Sequence, residues 1–484
     1  MHNEFQIKRF AVILWACLTL GWTFAEANRR PNVVFIIADD MYPEMFNYLQ
    51  EGSGSYLTPN LDRLAREGTI MTNQYVVSPV CTPSRYNCLA GRYASRAGNV
   101  QFADKTKEQG GQTVIQWNTF LTVADKALPH YFRDAGYVTG MVGKNHVIEA
   151  DGMTLFPDFN ADPREPSNAA IVAKNYQMAR QAVLDNGFDY AEAIYHNNPN
   201  FIGLSELAVQ NHDWIAEKGV EFIDRHHEEA FFLYFASTIP HGPTSDERSW
   251  RADPRVTAAG FLNEAPDTLP SRESLKERTE AAGLSSQYEE IVLWLDDSIG
   301  ALLQRLERYD QLENTIVVFF NDHGQHAKGT LYEGGVRSQS IIWRHEGFAA
   351  GSRCEVPVSN VDFAPTLLDL AGIDFEKGQF DGVSFAGVLE GEEAPERESL
   401  YFELGYARAV IKDGFKYYAV RYPEFAESWT QEERAAVLET YNEGRRYRNM
   451  DIVNVDDAAL PFSHLETIPG GGGAEQASYG RKPA

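Results

Sequence analysis

Asn32-Val33-Val34-Phe35-Ile36-Ile37-Ala38 runs directly into Asp39-Asp40. An unbroken apolar, β-branched run of this length predicts a strand buried on both faces, the habit of parallel sheets covered by helices. Two adjacent carboxylates close it. Side chains alternate along a strand, so neighbouring acids converge on one point only where the strand gives way to a loop. The same arrangement recurs downstream. Residues 137–142 deliver Gly143-Lys144-Asn145-His146, residues 231–235 deliver Pro240-His241, and residues 315–320 deliver Asn321-Asp322-His323-Gly324.

Helix signals lie between these strands. Thr58-Pro59 opens one that stops at Gly68, with proline early and glycine just past the end. Residues 128–135, 211–225, 288–309 and 364–371 carry further helical patterns. Strands that alternate with helices, with polar clusters after the strand ends, predict an open, mainly parallel α/β sheet with its ligand site at the carboxyl ends. Two stretches rich in Pro, Asn, Asp, Glu and Arg, 147–201 and 244–286, read as insertions that shape access to that site. From about residue 381 the texture changes. Short strand-like runs at 399–403, 407–411 and 415–420 predict a small antiparallel sheet, and the tail includes Gly470-Gly471-Gly472-Gly473. The expected division is 28–380 for a catalytic α/β domain and 381–484 for a smaller α+β subdomain and tail.

Composition narrows the partners. The chain has 484 residues, 43 basic against 69 acidic, and a net charge of −26. Such acidity argues against nucleic acid or an anionic membrane surface as a partner. An anionic substrate would need the field reversed locally by basic side chains. At the N-terminus, Lys8-Arg9 precedes an apolar run over 10–24 and Ala25-Glu26-Ala27. This is the pattern of a cleaved signal peptide over 1–27, too short in its apolar part for the roughly 20 residues of a membrane span. An exported chain, periplasmic or secreted and without a stable membrane anchor, is expected. The absence of any N-x-S/T acceptor leans towards a bacterial source. Cys81, Cys88 and Cys354 remain after cleavage, an odd number that flags a free or modified thiol.

One of those thiols opens the stretch Cys81-Thr82-Pro83-Ser84-Arg85, followed by Leu89-Ala90-Gly91-Arg92. A helix starting there puts position 81 in the positive end of its dipole, which favours anionic intermediates. Helical side chains lean towards the N-terminus, so Arg85 can return to position 81. The acid clusters at two strand ends suit a hard divalent cation with oxygen ligands, and the histidines are too few to favour zinc. Lys144 and His146, His241, and Lys328 in Lys328-Gly329-Thr330-Leu331-Tyr332-Glu333-Gly334-Gly335 add positive charge after strands in an acidic chain. Two lysines and two histidines around a cation and a nucleophile are what a tetrahedral, dianion-like transition state needs.

In this order, these segments resemble the type I, formylglycine-dependent sulfatases of the alkaline phosphatase superfamily, over roughly residues 31 to 420. The resemblance implies a large, mainly parallel sheet sandwiched by helices, with a smaller antiparallel C-terminal sheet. It implies that Cys81 is oxidised to 3-oxoalanine (formylglycine) by a formylglycine-generating or sulfatase-maturating enzyme. It further implies that Asp39, Asp40, Asp322 and His323 bind Ca2+ together with the modified Cys81, that Arg85 and His146 hold the hydrated aldehyde, and that Lys144, His241 and Lys328 contact the sulfate group. His323 falls where the family has Asn or His. Asn145 departs from the family's usual Trp, and the closing strand often written around L-Y-D-L is missing.

The implied reaction is attack on sulfur from position 81, with His241 as acid for the leaving alcohol and His146 taking a proton. The expected substrate is a sulfated glycan, and the aromatics Tyr190, Tyr195, Trp250 and Phe261 are candidates either for a sugar subsite or for plain packing. The alternatives are a phosphonate or phosphodiester hydrolase on the same scaffold, and an unmatured glycan-binding protein.

Overall fold

The computed structural model describes residues 30–420, apart from Gln287 and Glu346, and scattered positions between 428 and 443. The signal segment 1–27 and the glycine-rich tail lie outside the described residues. The main sheet has eight strands: β1 (Asn32–Asp39), β2 (Thr69–Met71), β3 (Val138–Lys144), β4 (Tyr190–Tyr195), β5 (Phe231–Pro240), β6 (Thr315–Asn321), β7 (Ser340–Arg344) and β8 (Ser352–Cys354). Their order is β8-β2-β7-β6-β1-β5-β3-β4. Strands β6, β1, β5, β3 and β4 are mutually parallel, while β7 runs antiparallel to both β6 and β2.

The opening strand sits near the middle and is buried along its whole length. Its alternation feeds two cores. Val33, Phe35 and Ile37 face one side, with residues from α2 (Cys81–Ala90), α3 (Leu128–Asp134), α4 (Pro166–Asp185) and α7 (Phe363–Leu370). Val34, Ile36 and Ala38 face the other, with α1 (Pro59–Glu67), α5 (His212–His226) and α6 (Glu289–Arg308). Each fully buried aliphatic or phenyl side chain contributes about 1.5–3 kcal/mol, so the double-sided burial fixes the strand before any polar group matters. The small sheet is antiparallel, β9 (Leu400–Leu404), β10 (Ala407–Lys412) and β11 (Phe415–Val420). Leu400, Phe402 and Ala409 join the first core, so the small sheet shares hydrophobic contacts with the large one.

One expectation changes. The stretch 147–201 is more than an insertion, since it holds the 20-residue helix α4 and the edge strand β4. The Pro- and Asn-rich text on either side hid a crossover helix and strand that belong to the sheet itself. Tyr190 and Tyr195 consequently fill core positions, against Phe222 and Trp214 respectively. Trp250 is buried beside a cavity of about 590 Å3 formed with Asp267, Leu269 and Arg272, and Phe261 lies under the Arg164 guanidinium.

Gly143 shows how the backbone aims a functional side chain. Its φ is +91°, and the pairing of β3 with β4 slips between Val142 and Lys144. A Cβ on Gly143 would lie 1.9 Å from the Ala236 carbonyl oxygen. The irregularity therefore needs glycine, and it sets the direction of Lys144. Gly143→Ala is expected to destabilise the fold by more than about 2 kcal/mol in urea unfolding. A loss below about 0.5 kcal/mol would show that the strand tolerates a side chain there.

Candidate active site

The carboxyl ends of β1, β3, β5 and β6 meet the N-terminus of α2. Asp40 has φ +70°, a left-handed conformation that aspartate tolerates better than most residues. That single turn lets the Asp39 and Asp40 carboxylates face the same space. The end of β6 is braced against it. Asp40 N donates to Asp322 Oδ1 at 3.2 Å, Met41 N donates to Asn321 Oδ1 at 3.0 Å, and Asn321 Nδ2 donates to the His323 carbonyl at 2.6 Å.

Helix α2 brings the cysteine. All ten of its residues are buried, Cys81 is the first of them, and Val80 at the cap provides no side-chain hydrogen bond. The positive end of the helix therefore remains directed at position 81. Ser84 Oγ donates to the Asp322 carbonyl at 2.5 Å, and Asn360 Nδ2 donates to Ser84 Oγ at 2.9 Å, tying the helix to the strand end. Cys81 is 1% exposed. Its sulfur lies 3.5 Å from Asp39 Oδ1, 3.6 Å from His323 Nε2 and 3.6 Å from Lys328 Nζ.

Three buried carboxylates face three buried cations. Lys144 Nζ lies 2.5 Å from Asp39 Oδ2. Arg85 Nη2 lies 3.5 Å from Asp39 Oδ1 and 3.3 Å from Asp322 Oδ2. Lys328 Nζ straddles Asp40, at 2.6 and 2.8 Å from its two oxygens. Burial opposes charge on Asp39, but Lys144, His241 and Arg85 outweigh it and hold its carboxyl well below the ordinary range. Burial likewise opposes charge on Asp40, and Lys328 with His241 and His323 reverses the balance. Asp322 goes the other way. Burial, with Asp39 and Asp40 nearby, raises it despite His323 and Arg85. Burial works against a charged His323, yet Asp322 and the hydrogen bond to Asp40 lift it to about 10.

Donor atoms of Asp40, Cys81, Asp322 and His323 all lie within 4.8 Å of one another, a group that could hold a metal ion. The two carboxylates among them are hard donors suited to a hard cation. Asp39 stands beside this group with its oxygens turned to Lys144, Arg85 and the Cys81 thiol. His146 is buried, with Nδ1 unpartnered among the described residues, and burial together with Lys144 and Arg85 pushes its pKa well down. His241 lies at the rim, Nε2 3.6 Å from Asp40 Oδ2. The ten residues expected from sequence thus gather around one site. Lys144 is fully buried against Asp39.

Sequence reading missed Asn198, whose Nδ2 is 3.4 Å from His241 Nε2, and Gln325, whose Nε2 donates to Asp40 Oδ2 at 3.3 Å. The signal for Asn198 was available: Asn197-Asn198-Pro199-Asn200 is a polar cluster just after a strand, the same arrangement as the other four. It was overlooked because that strand was taken as part of an insertion.

Arg85 is a keystone cation, since it touches an acid from each of two strand ends, Asp39 and Asp322. Arg85→Met would leave Asp39 and Asp322 buried with one partner fewer. The expected cost is about 3–5 kcal/mol in chemical denaturation, and a cost under about 1 kcal/mol would show that the acids need no such partner.

Comparison with known proteins shows the family. A family model described as Sulfatase matches residues 31–373, and one described as N-sulphoglucosamine sulphohydrolase, C-terminal, matches 321–431. An N-acetylglucosamine-6-O-sulfatase from Bacteroides thetaiotaomicron is 26% identical over 463 residues, covering 83% of this chain and 78% of that one. Arylsulfatase A from Homo sapiens is 29% identical over 413 residues, covering 79% and 72%. A solved structure from work on the metabolism of multiple glycosaminoglycans by Bacteroides thetaiotaomicron superposes with a TM-score of 0.57 at 21% identity, over 81% of this chain and 88% of that one.

Proposed function

The chain belongs to the sulfatase family and is a sulfuric ester hydrolase, and from that premise we propose that it releases inorganic sulfate from a sulfated carbohydrate. The carrying observation is Cys81 at the start of a buried helix, within 3.6 Å of Asp39, His323 and Lys328. The carbohydrate class is supported by relatives named as N-acetylglucosamine-6-O-sulfatase and N-acetylgalactosamine-6-sulfatase.

In this reading Cys81 works after oxidation to 3-oxoalanine, whose hydrate, formed by addition of water, supplies an oxygen nucleophile from which sulfate can later be expelled with the aldehyde restored. The thiol sulfur marks where oxygen would stand. A thiol only 1% exposed is open to a maturation enzyme before the fold closes over it. Asp39, Asp40, Asp322 and His323 would hold Ca2+ with residue 81. Calcium there supplies charge that polarises the ester and favours an ionised oxygen. Lys328 and Lys144 neutralise the sulfate oxygens, and Asp40 beside Lys328 holds that ammonium protonated. Arg85 keeps Asp39 and Asp322 in place, His241 at the rim donates a proton to the leaving alcohol, and His146, held neutral by its surroundings, accepts one. Residues 28–380 form the catalytic unit and 381–484 its smaller companion. The protein acts outside the cytoplasm, as a periplasmic or secreted enzyme whose segment 1–27 is removed. Among the described residues no helix is long and apolar enough to cross a membrane.

Matured protein should release sulfate from members of a panel of sulfated oligosaccharides faster than it cleaves an aryl phosphonate or phosphodiester. The reverse ranking would favour the phosphonate or phosphodiester reading, and glycan binding without sulfate release a binding protein. Cys81→Ala is expected to keep its unfolding midpoint and lose turnover by at least about a thousandfold; near-parental turnover would remove position 81 from the chemistry. Chelation with EGTA should abolish activity and lower the melting temperature, both restored by calcium. An unchanged melting temperature and full activity after exhaustive chelation would remove the cation.

A further inference from the structure

The reading of His241 as the leaving-group acid requires its ring to be held, and the geometry points to Asn198 as the positioning residue that holds it. The backbone of His241 is fixed by Gln210, whose Nε2 donates to the His241 carbonyl at 2.8 Å. The ring has its own restraint, as Nδ1 lies 3.0 Å from the Gly242 carbonyl. A carbonyl only accepts, so Nδ1 carries a proton, and Nε2 is the nitrogen that takes a second proton from solvent and passes it to the leaving oxygen.

Nε2 faces two groups among the described residues, Asp40 Oδ2 at 3.6 Å and Asn198 Nδ2 at 3.4 Å. Asp40 is already shared with Lys328, His323 and Gln325. Asn198 is different: its side chain makes no other hydrogen bond among the described residues. The turn that carries it is held by backbone, with Phe201 N donating to the Asn198 carbonyl at 2.9 Å, and by Asn197, whose Oδ1 accepts from Asn198 N at 2.7 Å. The amide is therefore not needed to build the loop. It is half-buried just beyond the end of β4, beside His241.

A carboxamide suits both states of a proton-transferring nitrogen. Its NH2 end donates to a bare Nε2, and a half-turn presents an oxygen that accepts from Nε2–H. A carboxylate or an ammonium would serve only one of the two. Asn198 thus holds the ring at Nε2 until the leaving oxygen takes that position, and caps the nitrogen again once the proton has moved, without taking or giving the proton itself.

This inference rests on the acid role of His241, and a leaving-group series separates the two. With matured enzyme, kcat/KM is measured on aryl sulfates from 4-nitrophenyl to 4-methoxyphenyl for the parent, His241→Ala and Asn198→Ala, with thermal unfolding of each variant alongside. Asn198→Ala should lose about tenfold on the least acidic leaving group and less than about twofold on 4-nitrophenyl sulfate, at an unchanged unfolding temperature. His241→Ala should show the same trend more steeply. A flat profile for Asn198→Ala beside a steep one for His241→Ala overturns the positioning role alone. A flat profile for His241→Ala overturns the acid role and the inference with it.

Discussion

Three carboxylates and three cations, all out of water, meet at the top of the sheet. Lys144 holds Asp39, Lys328 holds Asp40, and Arg85 bridges Asp39 to Asp322. Ions stripped of solvent are tolerated only when each has close partners, so the position of every strand end that supplies one is constrained by the others. The chain as a whole carries −26. Against that background the cations of the site at least match its carboxylates, which favours a negatively charged sulfate ester.

The hydrophobic sheet makes this balance possible. Strand β1 is pinned on both faces, and its parallel neighbours β5 and β6 end at the same level. Small backbone irregularities at the ends then aim the side chains: a left-handed Asp40, and a glycine before Lys144. Helix α2 is buried for a related reason. Its cysteine must be presented inside the cluster, and Ser84 and Asn360 hold the first turn there by hydrogen bonds rather than by a surface cap. Packing sets the frame, backbone turns set direction, and charge pairing fixes the last ångströms.

Much of this was legible in the sequence because burial leaves a plain mark. Continuous apolar runs ending in Asp39-Asp40 and Asn321-Asp322-His323 announced both the parallel sheet and the location of the site. The C-x-P-S-R motif, through the family it resembles, marked the nucleophile position. What stayed hidden depends on contacts between distant segments. Nothing in Asn360 or Gln210 distinguishes them from ordinary loop amides until the fold sets one against Ser84 and the other against the His241 carbonyl. Strand β4 was hidden by composition, since polar residues on either side outweighed a six-residue strand and took Asn198 out of view with it. Tyr190 and Tyr195 read as loop aromatics for the same reason, although they are core.

The central claim is that the group acting at position 81 is not the thiol the gene encodes. Mass spectrometry of the tryptic peptide spanning 67–85, taken from enzyme of measured specific activity, tests it most directly. The account predicts an aldehyde at residue 81 in a fraction that rises in proportion to activity across preparations. An unmodified cysteine throughout a fully active preparation would contradict it.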